Sequence, residues 1–213
     1  IWLSRAEQVL AKNSDSRSHS TLKTMQSRHI IETEEWATQE LEVAMSSDEL
    51  LALGMSAVNL GDLTLAESVS DRLHDLVAEN PNDVTLRLID MEISSLLKFE
   101  KGDKNDAIAL IMEAVAIAES QSPPRGAASP LQPVHELAGE LLLKSGDYEA
   151  AADLYETSLG RMPNRPKAIL GVARSYAGMG EVDKAVSSYK AFDAVWGRTA
   201  TPAAEEAKNY IGS

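Results

Sequence analysis

The chain has 213 residues, of which 44% are apolar and 25% charged, the composition of an ordinary folded protein rather than a fibrous or low-complexity one. Lys and Arg number 20 against 33 Asp and Glu, and a formal net charge of -13 makes nucleic acid a disfavoured partner. With no cysteine there is no disulfide, no Cys-ligated metal and no thiol nucleophile, and a cytoplasmic or a periplasmic setting suits the chain equally.

From the N-terminus, no basic stretch leads into an apolar run, so no signal peptide is visible. No uncharged apolar stretch reaches the roughly 20 residues of a membrane span. The first residue is Ile1, which reads as the start of a processed protein or of a piece of a longer one. Strand-like alternation is scarce and helical periodicity pervasive. The spacing predicts about twelve helices, near 2–12, 17–32, 34–45, 47–60, 62–79, 82–101, 103–120, 131–145, 147–160, 164–179, 181–196 and 201–211. Gly61-Asp62, Gly102-Asp103, Gly146-Asp147 and Gly180-Glu181 each place a glycine where one helix stops and an acid where the next begins. Pro81, Pro163 and Pro202 mark other junctions. Residues 121–133, with four prolines, read as a loop between helices.

An internal repeat is the strongest signal. Gly146, Ala151 and Tyr155 recur 34 residues later as Gly180, Ala185 and Tyr189, so Gly-x4-Ala-x3-Tyr occurs twice at one period. Each unit is a helix, a glycine turn and a second helix. The small alanine lets the two helices approach, and the aromatic one turn later fills the gap to the next pair.

This pattern resembles the tetratricopeptide repeat family. Residues 132–165 and 166–197 carry it: Ala138-Gly139-x2-Leu142 stands where the family has Leu-Gly-x2-Tyr, Pro163 stands at its terminal proline, and Tyr176 is kept in the second copy, which has Gly197 in place of the proline. Weaker copies surround Leu53-Gly54-x2-Ala57 with Gly61-x4-Ala66, and Gly102-x4-Ala107-x3-Ile111. The stretch from Pro133 to Leu143 also looks like a segment near the C-terminus of large bacterial repeat proteins. The resemblance implies an all-α fold, a right-handed superhelical solenoid of antiparallel helix pairs. It divides the chain into degenerate repeats over 1–45, two lengthened repeats over 46–131, two regular repeats over 132–197 and a capping helix over 198–213. An N-terminus without such a polar cap is consistent with further repeats before Ile1 and with self-association through that end.

By register, the resemblance implies a peptide- or protein-binding groove lined by Glu92, Leu96 and Phe99, then Glu136, Glu140 and Leu143, then Lys167, Leu170 and Arg174. The family's two-carboxylate clamp of Lys and Asn is absent from the matched positions. The expected function is a protein–protein interaction scaffold; the alternative is a docking or regulatory arm of a larger enzyme whose catalytic part lies outside this chain. Residues 1–122 hold 10 basic and 22 acidic side chains, which reads as a solvated face or as an attraction for a cationic partner.

Nothing in the chain spells out catalysis or a cofactor. No Gly-rich phosphate loop, nucleophile elbow or His-Glu-x-x-His occurs. His29 and Glu32 share a helix face, and with no second histidine nearby they read as a surface pair rather than metal ligands. Glu34-Glu35 and Glu205-Glu206 read as exposed neighbours, and Trp36 and Trp196 as packing residues at junctions.

Overall fold

The computed structural model describes residues 16–212, and all regular structure among them is α-helical. Ten helices follow in order among these residues: α1 (Ser16–Thr33), α2 (Ser47–Asn59), α3 (Leu63–Glu79), α4 (Val84–Glu100), α5 (Lys104–Glu119), α6 (Val134–Ser145), α7 (Tyr148–Arg161), α8 (Pro166–Gly178), α9 (Val182–Trp196) and α10 (Pro202–Gly212). The helix expected at 2–12 lies outside the described residues. The chain divides into two compact units between Glu100 and Lys101.

In the first unit α1 packs on α2, α2 on α3 and α4, and α3 on α4. Leu50, Leu51, Val69, Leu73, Ile89 and Ile93 are fully buried at its centre. Gly54 permits the contact between α2 and α4, because a Cβ there would stand 2.7 Å from Ile93 Cδ1. The start of α2 is fixed by a capping box: Ser46 Oγ accepts from the Glu49 N–H, and Glu49 Oε2 accepts from the Ser46 N–H at 2.9 Å.

The helix expected over 34–45 does not form. The segment is irregular apart from short turns, and Glu34, at φ 58°, breaks α1. The reason lies in charge and spacing. Glu34, Glu35, Glu40 and Glu42 would need cations one turn away, yet no Lys or Arg occurs between Arg28 and Arg72. Leu41, Val43 and Met45 alternate, so a helix would scatter them over its faces. Only Met45 of the three is buried, whereas Val43 is 82% exposed.

In the second unit α5 packs on α6, α6 on α7, α7 on α8, α8 on α9 and α9 on α10, while α6 also packs on α8. This is the order of stacked helix–turn–helix pairs, with the first helices α6 and α8 in contact. The turns follow the predicted chemistry. Gly61, Gly102, Gly146 and Gly180 all have φ between 76° and 96°, a region that side chains with a Cβ enter at a cost. Asp62 and Asp147 then cap the following helices, accepting from the N–H groups of Leu65 at 3.0 Å and Ala150 at 3.3 Å. Residues 121–133 form the expected loop, yet its end is interior: Ala128, Leu131 and Gln132 are buried.

The predicted aromatic filling of the gap is seen at Tyr155, which is 6% exposed. Its ring lies against Gly139 of α6 and Gly171 of α8, where any Cβ would crowd or overlap it. In the next pair Ala185 and Tyr189 are buried, and Ile169, Leu170, Ala173, Tyr189, Phe192 and Ala207 form one cluster, with Trp196 packed against it. Helix α10 begins as expected, the Thr201 hydroxyl accepting from the Ala204 N–H at 3.4 Å and Pro202 in the first turn.

Candidate functional site

The groove candidates separate by burial. In the first unit Glu92, Leu96 and Phe99 on α4 are 0%, 2% and 7% exposed, so they are interior residues rather than a surface open to a partner. In the second unit Glu136 and Leu170 are interior too, at 1% and 6%. Glu140, Leu143, Lys167 and Arg174 remain partly exposed.

The buried Glu136 is an ion-pair partner. Arg165, just before α8, donates from Nε to Glu136 Oε1 at 2.6 Å and from Nη2 to Oε2 at 2.8 Å, and the Ser158 hydroxyl of α7 adds a hydrogen bond to Oε1 at 3.3 Å. A carboxylate stripped of water is tolerated only with such a set of donors. Its neighbour His135 is also buried, with Nε2 3.4 Å from Glu119 Oε1. Burial, aided by the Arg161 charge, lowers the His135 pKa against the opposing pull of Glu119 and Glu136.

The exposed remainder forms a charged patch on the first helices of the two regular repeats. Lys144 Nζ lies 2.9 Å from Glu140 Oε1 within α6. Burial opposes ionisation of Glu140, yet Lys144, Lys167 and Arg174 outweigh it and hold its carboxyl below the usual glutamate range. Three cations from α6 and α8 thus act on one carboxylate beside Leu143. Arg174 also reaches α10, donating to Glu206 from Nε at 3.0 Å and from Nη2 at 2.6 Å. The Tyr189 hydroxyl donates to Glu206 Oε1 at 2.7 Å. Burial and this bond to a carboxylate push the Tyr189 pKa up. Glu206, expected on the solvent side of the last helix, is therefore turned inward.

The pairs Arg165–Glu136 and Arg174–Glu206 join residues 29 and 32 apart, and no periodicity in the sequence announces them. His29 lies 3.4 Å from Glu35. Among the described residues, no group of three His, Asp or Glu side chains could hold a metal ion. No helix among them is long and apolar enough to cross a membrane.

Residues 142–191 match the family model described as Tetratricopeptide repeat, a stretch lying within the two regular repeats. None of the curated proteins compared matches the chain. Among solved structures the chain is similar to TTC0263, a thermophilic TPR protein in Thermus thermophilus, with a TM-score of 0.59 and 16% identity over 99% of this chain and 97% of that one. It is also similar to MamA AMB-1, with a TM-score of 0.45 and 19% identity over 91% and 94% of the two chains. Helical repeat arrays of this kind present extended concave surfaces. The chain has the all-helical fold of tetratricopeptide repeat proteins, and its residues 142–191 match the tetratricopeptide repeat family model.

Proposed function

We propose that the second unit captures an extended peptide along the face presented by α6 and α8, with Glu140, Leu143, Lys167 and Arg174 as the contacting residues and Lys144 beside them. The observation that carries this reading is the Lys144–Glu140 ion pair at 2.9 Å, next to the part-exposed Leu143, with the charges of Lys167 and Arg174 acting on the same carboxylate. Such a surface suits alternating acidic and apolar side chains, and its excess of positive charge favours acidic ones. The stiffness of the stack supports it as well, since Tyr155 locks α6 to α8 and so fixes the spacing of the contacts.

Selection from a displayed library of random twelve-residue peptides on the full chain tests the reading. Selected peptides are expected to be rich in Asp and Glu with interspersed Leu, and to lose at least tenfold in affinity against a Lys144→Glu, Lys167→Glu double variant. Equal affinity for wild type and variant would overturn it.

A further inference from the structure

The first unit carries a cavity that the groove reading does not use. The irregular segment 34–46 leaves α1 and crosses back to α2, and between the three lies a cavity of about 440 Å³. That volume is in the range of pockets that take small ligands or peptide side chains. Its floor is apolar, made by Ile30, Met45 and Leu53, of which Met45 and Leu53 are 7% and 3% exposed. Its rim is charged, carrying Lys23, Glu42 and Glu49.

The rim already shows what it accepts. Lys23 reaches across from α1 and places its ammonium 2.8 Å from Glu49 Oε1. The hydrogen bond from Lys23 and the Glu49 charge hold that ammonium above the usual lysine range, against the effect of burial, and Glu42 adds to the field. Glu49 is spoken for, since Ser46 occupies its other oxygen. Glu42 is exposed, and the rim cation whose charge it feels, Lys23, is hydrogen-bonded to Glu49 instead. The surrounding charge has the same sign: residues 16–100 hold 6 Lys and Arg against 16 Asp and Glu, a net of -10.

We propose that this cavity is a docking site for a basic partner peptide, taking an arginine or lysine side chain with its hydrocarbon stem on Ile30, Met45 and Leu53 and its cationic head at Glu42. Long basic side chains have this two-part character, an apolar stem and a hydrated charge, and an apolar floor below a carboxylate rim matches both parts. The irregular segment makes the site, contributing Ala37, Thr38, Gln39, Glu42 and Met45 to its wall.

Fluorescence anisotropy on the full chain tests the proposal. The probe is a fluorescein-labelled heptapeptide of alternating arginine and leucine, and its counterpart has glutamine for arginine. Two single variants of equal net charge are compared, Glu42→Gln at the rim and Glu67→Gln on the exposed side of α3. The arginine peptide is expected to bind wild type and Glu67→Gln alike, to bind Glu42→Gln at least fivefold more weakly, and to outbind the glutamine peptide at least tenfold. Equal loss in both variants would reduce the attraction to overall charge and overturn the site. So would indifference to the peptide's charge, or no binding to wild type in low salt.

Discussion

Replacing Gly171 by alanine tests how α6, α7 and α8 are held together. The substitution has two opposed effects. Alanine restricts the unfolded chain and favours helix, which stabilises by about 0.5–1 kcal/mol at an unhindered site. At Gly171, however, a Cβ would overlap Cζ, Cε1 and Cε2 of the Tyr155 ring. The ring has little room to move, because it also touches Gly139, whose own Cβ position lies 2.9 Å from Cε2. Relief therefore requires α6 and α8 to separate, and overpacking of this kind costs about 1–3 kcal/mol. The steric effect wins, and a net loss of about 1–2 kcal/mol is expected. Gly160, with nothing within 4 Å of its Cβ position, is the control, and Gly160→Ala is expected to stabilise by about 0.5–1 kcal/mol. Urea unfolding followed by circular dichroism measures both. A third variant, Gly171→Ala in a Tyr155→Leu background, is expected to show most of the alanine penalty removed. If Gly171→Ala matched Gly160→Ala, or if its cost survived the loss of the ring, the tight contact at Tyr155 would be refuted.

Two other outcomes follow from buried charges in the same unit. Arg165→Ala strands the Glu136 carboxylate, which is 1% exposed, and is expected to destabilise by about 3–5 kcal/mol in urea unfolding. Arg165→Met with Glu136→Leu is expected to cost far less, and equal losses would show that the charge is not desolvated. His135 has a folded pKa below its unfolded value, so the unfolded state takes up its proton first. Its contribution is complete above about pH 6.5 and is lost as the pH falls through the lowered folded value. His135→Gln is expected to flatten stability against pH in that acid range, and an unchanged slope would contradict the sign.

Much of this fold is legible in the sequence, and for identifiable reasons. A glycine followed by an acid marks a turn because positive φ and a side-chain cap are local demands, and Gly146-Asp147 meets both. The Ala151 and Tyr155 pair is legible because the same contact recurs 34 residues later at Ala185 and Tyr189. The segment 34–45 misleads because its residues suit helix singly while no Lys or Arg lies within it to offset its four glutamates at helical spacing. The site is less legible. Family register places Glu136 and Leu170 on a groove, but α6 is packed against α5, α7 and α8, so even adjacent residues such as His135 and Glu136 are interior. The inward turn of Glu206 toward Arg174 depends on how α10 lies beside α8 and α9, which no local signal specifies.

Site-specific photo-crosslinking tests the central claim most directly. A benzophenone side chain is placed at Leu143, on the proposed peptide face of α6, or at Val195 of α9, which is 46% exposed. Each protein is irradiated with a library-selected acidic peptide. Crosslinks from Leu143 and none from Val195 are predicted, and crosslinks from Val195 alone or from both sites equally would contradict capture along α6 and α8.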